Sequence, residues 1–71
     1  GDHRQAIAHY RRAIAIDAES FSAHYNLGLA LRSIGNSTEA IVHFRQALTL
    51  APDSDAARSN LQAAVTEASN P

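Results

Sequence analysis

Apolar side chains recur along this chain at three- and four-residue steps, in four separate runs. Residues 37–51 place Ala40, Ile41, Phe44, Ala47, Leu48 and Ala51 on one stripe of a helix. Residues 3–16 repeat the stripe with Ala6, Ile7, Tyr10, Ala13 and Ile14. Residues 21–34 carry His24, Leu27, Gly28, Leu31 and Ile34 at the same steps, and residues 55–68 a weaker set, Leu61, Ala64, Val65 and Ala68. The ends of the runs are marked too. Gly35 follows the last apolar residue of its run, where a left-handed residue closes a helix and glycine adopts that conformation without a Cβ penalty. Asn36-Ser37-Thr38-Glu39 reads as an N-cap with an acid three residues on, and Asp2-His3-Arg4-Gln5 is its counterpart. Ser20 and Ser54 are the N-cap candidates of the other two helices, and Pro52 cannot continue the helix before it. The pattern predicts helices over 2–17, 20–34, 36–51 and 54–69.

The helices form two copies of one unit. Displaced by 34 residues, the chain matches itself at 12 of 37 positions, among them Gly1/Gly35, Ala6/Ala40, Ile7/Ile41, His9/His43, Arg11/Arg45, Ala13/Ala47, Ser20/Ser54, Asn26/Asn60 and Leu27/Leu61. Chance gives about two to four matches in a chain this rich in alanine. Tyr10/Phe44, Ile14/Leu48 and Ile16/Leu50 keep their chemistry without identity. A period of this length points to a repeat array of helix pairs, in which stacked neighbours share one continuous core.

Residues 21–54 make the period specific. His24, Leu27-Gly28 and Leu31 lie on one helix, Ala40 and Phe44 on the next, and Pro52 after it. In these places the tetratricopeptide repeat (TPR) has an aromatic, Leu-Gly and an aromatic, then alanine, an aromatic and proline. The chain therefore resembles the TPR family, with His24 replacing the usual tryptophan and Leu31 the usual tyrosine. Residues 1–20 resemble the second helix of a repeat, with Ala6, Tyr10 and Ala13 in register and Ala18 where proline is usual. Residues 21–54 resemble a complete repeat. Residues 55–71 resemble the first helix of a following one, with Asn60-Leu61 in place but Arg58 and Gln62 replacing the aromatic and the glycine. The resemblance implies one all-α domain over 1–71, four helices arranged as antiparallel pairs of a right-handed superhelical solenoid. Glycine inside a helix costs about 1 kcal/mol relative to alanine. Gly28 is expected to offset this by letting its helix approach the next closely, opposite Ala40, with Phe44 filling the space between helices. His24 is expected to be at least partly buried and mainly a packing residue, replaceable by tryptophan or tyrosine without loss of melting temperature. Ala6, Tyr10, Leu27, Leu31, Ala40, Phe44, Ala47, Pro52 and Leu61 complete the expected packing set.

The resemblance also implies a function. In TPR arrays the first helix of each pair lines a concave groove in which peptides lie. Here that groove is expected from Ser22, Tyr25, Asn26, Leu29, Arg32 and Ser33 on one helix and Ser59, Asn60, Ala63 and Glu67 on the other. Asn26 and Asn60 match asparagines that hold peptide backbone in several TPR proteins. An amide side chain offers both donor and acceptor and so pairs with any peptide bond. The lysine and arginine that hold a C-terminal carboxylate in chaperone-binding members are absent, their places taken by Ala56 and Asn60. The expectation is a protein–protein interaction scaffold, not an enzyme, that binds a peptide segment of a partner protein. The alternatives are a self-assembling structural segment and a docking arm of a larger enzyme such as a glycosyltransferase. The end helices are expected to leave parts of Ile7, Tyr10 and Ile14, and of Leu61 and Val65, without a packing partner. They stand two full periods apart, so homo-oligomers by head-to-tail stacking or helix swapping follow as a possibility.

Composition narrows the rest. At 71 residues the chain forms at most one domain and buries only about 60% of its unfolded surface. Without cysteine it has no disulfide, thiolate zinc site or cysteine nucleophile. A net charge of −1 is not the balance of a nucleic-acid-binding domain. No apolar run approaches the roughly 20 residues that span a bilayer, so no membrane partner is expected. The six basic residues are all arginine, which with the abundant alanine suggests a GC-rich bacterial genome; the localisation is left open, with the cytoplasm favoured. The chain begins mid-motif, so its natural N-terminus is expected elsewhere. His9 and His43 fall a helix-pair spacing apart and His3 and His9 on different faces, so no metal site and no cofactor are expected. The carboxylates Asp2, Asp17, Glu19, Glu39, Asp53, Asp55 and Glu67 are scattered over helix starts and turns, where helix dipoles explain most of them. Asn36-Ser37-Thr38 fits an N-glycosylation pattern, but its capping role accounts for it. Arg11, Arg12 and Arg45 read as a solvated face.

Overall fold

A computed structural model describes residues 2–70, so Gly1, the repeat counterpart of Gly35, lies outside the described residues. The four helices are α1 (His3–Ile16), α2 (Phe21–Ser33), α3 (Ser37–Leu50) and α4 (Asp55–Ser69). The spans expected from sequence include the caps, which are not themselves helical. Asp2, Ser20, Asn36 and Ser54 each accept a backbone N–H of the first turn, from Arg4 (2.9 Å), Ala23 (3.1 Å), Glu39 (3.2 Å) and Ala57 (3.2 Å). A cap of this kind stabilises its helix by about 1 kcal/mol. Gly35 has φ +84°, and the turn closes α2 with two backbone bonds, Asn36 N–H to Leu31 C=O (2.8 Å) and Gly35 N–H to Arg32 C=O (3.0 Å).

Successive helices pack in a ladder, α1 on α2, α2 on α3 and α3 on α4, and α2 also touches α4. The result is a slab of 34 × 29 × 16 Å. Its core is Leu27, Leu31 and Phe44, closed by Ile7, Ala30, Ala40 and Ala64. Position in the ladder decides burial. Ala40, Phe44 and Ala47 on α3, between α2 and α4, are fully buried. Their counterparts Ala6, Tyr10 and Ala13 on α1, which packs on α2 alone, are half-buried.

Three expectations need correction. Ile7 is not left partly unpaired: α2 covers it, and it belongs to the core cluster, while Tyr10, Ile14 and Leu61 are half-buried and Val65 exposed. Pro52 packs against no core. It is exposed in the α3–α4 turn, where it ends α3 and its carbonyl accepts from Arg58 Nη2 at 2.7 Å. The nearest neighbour of Gly28 is not Ala40 but the ring of Phe44. A Cβ at position 28 would stand 2.6 Å from Cε1 and 2.8 Å from both Cδ1 and Cζ.

Candidate functional site

The first helices of the two pairs, α2 and α4, share one face. Tyr25 and Arg32 project from α2, and Asn60 and Glu67 from α4, each a helical repeat along from its neighbour. Arg32 grips Glu67 with its fork, Nε donating to Oε1 and Oε2 (both 3.0 Å) and Nη2 to Oε2 (2.8 Å). Its Nη1 donates to Asn60 Oδ1 at 2.9 Å. The Asn60 amide nitrogen donates to Tyr25 Oη (3.2 Å) and to the Ala56 carbonyl (2.9 Å). Ser37, buried at the start of α3, donates to Glu67 Oε1 at 3.0 Å. The network locks α4 to α2 and α3, and hydrogen bonding by Arg32 holds the Glu67 carboxyl below its usual range. Phe21 stacks on Tyr25 with ring centres 5.6 Å apart and planes within 9°.

The structure thus brings Tyr25, Arg32 and Asn60 together. Leu29, Arg32 and Ser33 line a shallow cleft with Gly35, Ser37 and Glu67. Ser59 and Ala63 line a separate depression with Leu61, Gln62, Val65 and Thr66 on the outer side of α4. Ser33 donates to its own helix at the Leu29 carbonyl, 3.0 Å. Ser22 is exposed and Asn26 half-buried, and among the described residues neither side chain has a hydrogen-bond partner. The two asparagines therefore differ. Both protons of the Asn60 amide are committed within the chain, leaving only acceptor capacity, whereas Asn26 keeps its donors and its acceptor.

A second polar cluster lies on the other side of α2. His24 is only 4% exposed. Its Nε2 stands 2.9 Å from the Ala18 carbonyl and its Nδ1 3.1 Å from His43 Nδ1. A carbonyl only accepts, so Nε2 carries the proton of neutral His24, and Nδ1 accepts from the His43 Nδ1–H. His43 Nε2 faces Glu39 Oε2 at 3.7 Å, and that oxygen also accepts from Arg11 Nη1 at 2.7 Å. Burial pushes the His43 pKa down, His24 and Arg11 act in the same direction, and Glu39 opposes them. Arg11, expected on a solvated face, is thus the one long side chain tying α1 to α3 through an ion pair among the described residues. His24 is buried as expected but is more than packing, since both ring nitrogens are bonded, and tryptophan or tyrosine would keep at most part of that bonding. No three or more His, Cys, Asp or Glu side chains among the described residues converge as metal ligands.

Residues 1–35 match the family described as TPR repeat, and residues 21–54 the family described as Tetratricopeptide repeat. The chain belongs to the tetratricopeptide-repeat family. Its fold is an all-α TPR helical repeat. TPR repeats are generally protein–protein interaction modules, and the family is typically a non-catalytic scaffold, so a protein partner is implied. No helix among the described residues is long and apolar enough to cross a membrane. No curated protein matches the chain.

Proposed function

We propose that the α2–α4 face binds an extended segment of a partner protein, with Asn26 as its main backbone-pairing group. The observation that carries this reading is the free amide of Asn26. It stands half-buried, next in the chain to Tyr25, on the helix whose Arg32 is neutralised by Glu67. Such a surface offers hydrogen bonds and small apolar contacts without net charge, which suits main-chain recognition better than a charged motif. Tyr25 accepts from Asn60, so its own hydroxyl proton remains available to a peptide carbonyl. Ser22 and Ser33 are small enough to leave the segment room. The test is selection from a displayed random-peptide library, followed by calorimetry on the selected peptides. Asn26→Ala removes two hydrogen bonds, each worth about 0.5–1.5 kcal/mol, and should weaken binding by about 5–150-fold without changing the circular dichroism. Undiminished binding by Asn26→Ala would sink the reading.

A further inference from the structure

We propose that His24 and His43 form a latch with room for one extra proton, which holds the α1–α2 turn, α2 and α3 together at neutral pH and releases them in acid. The geometry fixes the proton count. In the neutral pair the His43 Nδ1–H is donated to His24 Nδ1, and His24 Nε2–H to the Ala18 carbonyl. A first extra proton goes to His43 Nε2, towards the Glu39 carboxylate at 3.7 Å, and leaves both bonds intact. A second has only His24 Nδ1 to occupy, which is the acceptor of the pair. It would set two N–H groups and two positive charges against each other at 3.1 Å, on a ring that is 4% exposed.

The surroundings offer no relief. Arg11 from α1, His24 from α2, and Glu39 on the same helix as His43 are the charged or titratable groups acting on His43, and α4 supplies none among the described residues. Glu39 is already bonded to Arg11 through the oxygen that faces His43. A metal ion in place of the shared proton does not fit. The ring centres are 5.4 Å apart in planes within 22°, so the two Nδ1 atoms meet nearly head-on and do not converge as two ligands of one ion must.

The sign follows from linkage. Unfolded, the two rings are independent and each takes its own proton in acid, whereas the folded pair has room for one extra proton. The unfolded state therefore binds more protons in acid, and stability falls as pH falls, about tenfold in the unfolding constant per pH unit for each proton of difference. The folded-state lowering of the His43 pKa acts in the same sense, its contribution being present above about pH 6.5 and lost below it. The part that loosens first should be the α2–α3 contact, where His24 Nδ1 no longer accepts; the Ala18 carbonyl keeps its Nε2–H donor until the repelled ring moves away and frees the α1–α2 turn.

The experiment is urea unfolding of the 71-residue chain between pH 7.5 and 5.0, a window above the carboxylate range, for the wild type, His43→Gln and His9→Gln. A glutamine amide can turn either its N–H or its oxygen to His24, so it serves the ring in both charge states. The wild type and His9→Gln, altered at an exposed position, should share the steep slope, and His43→Gln should flatten it. Nitrogen-15 spectra of the wild-type imidazoles supply the readout that needs no variant: at pH 7.5 His24 should carry its proton on Nε2 and His43 on Nδ1. Two fully charged rings in a still-folded protein at pH 5, or a slope unaltered by His43→Gln, would overturn the latch.

Discussion

Gly28→Ala tests the packing logic of the repeat most sharply, because two effects of known size oppose each other. Alanine is favoured over glycine in a helix interior by about 0.8–1.0 kcal/mol. Against this, the added Cβ meets three atoms of the Phe44 ring at 2.6–2.8 Å. Carbon atoms rest at about 3.5–4.0 Å, so relief requires a movement on the order of 1 Å. The contacted atoms are ring atoms on a side chain with no exposed surface, held between Leu27, Leu31, Ala40 and Tyr25, whose ring centre lies 6.0 Å away. No flexible tail can swing aside. Overpacking of this kind costs about 1–3 kcal/mol, and contact with several ring atoms at once puts it at the upper end. The net loss is then about 2 kcal/mol, or about 8–16 °C in Tm for a domain of this size. Thermal and urea unfolding followed by circular dichroism measure it. Phe44→Leu should partly rescue Gly28→Ala, so that the double variant loses less than the sum of the single ones. A Gly28→Ala protein as stable as the wild type would show that helix propensity outweighs the ring contact and would refute the argument.

Glu67→Gln should flatten the acid limb of the stability curve. Arg32 holds the Glu67 carboxyl below its ordinary value, so its contribution is present above about pH 4.5 and is lost as pH falls through the lowered value; urea midpoints from pH 5 to 3 record the change. Gln62→Gly should promote head-to-tail association. In-register stacking would seat Tyr10 of one copy on Gln62 of another as Phe44 sits on Gly28, and any side chain there fills the space the ring needs. Sedimentation at rising concentration should show larger species for the variant than for the wild type, and identical profiles would count against this register.

What could be read from the sequence was what local chemistry decides. Caps, the glycine-closed turn and the 34-residue period depend on residues a few positions apart, or on one unit repeated, and each appears in the fold. The face of α2 carrying Leu27, Gly28 and Leu31 was legible for the same reason. Partnerships across helices were not. His24 and His43 are 19 residues apart and occupy unrelated places in the repeat, so no period pairs them. Repeat logic drew attention to His9 and His43 instead. Nor could the sequence separate Asn26 from Asn60, which are identical in type and repeat position. Only the packing of α4 on α2 puts Tyr25 and Arg32 within reach of Asn60, and among the described residues no side chain stands in the same place beside Asn26. Arg32 and Glu67, 35 residues apart, needed the same step. One signal was available for the stack on Tyr25: Phe21 lies one helical turn earlier, where i,i+4 side chains meet.

The two tyrosines give the protein an optical consequence. The chain has no tryptophan, so Tyr10 and Tyr25 are its only near-ultraviolet emitters of any strength. They stand in different surroundings. Tyr10 lies on α1 with the His9 ring 5.8 Å away, and Tyr25 lies on the α2–α4 face with Asn60 donating to its hydroxyl. Replacing Tyr10 by phenylalanine, the residue the repeat already carries at position 44, leaves a single emitter beside Asn26. A segment laid along that face would then change the light from one known side chain, and the unlabelled protein would serve as its own sensor of occupancy.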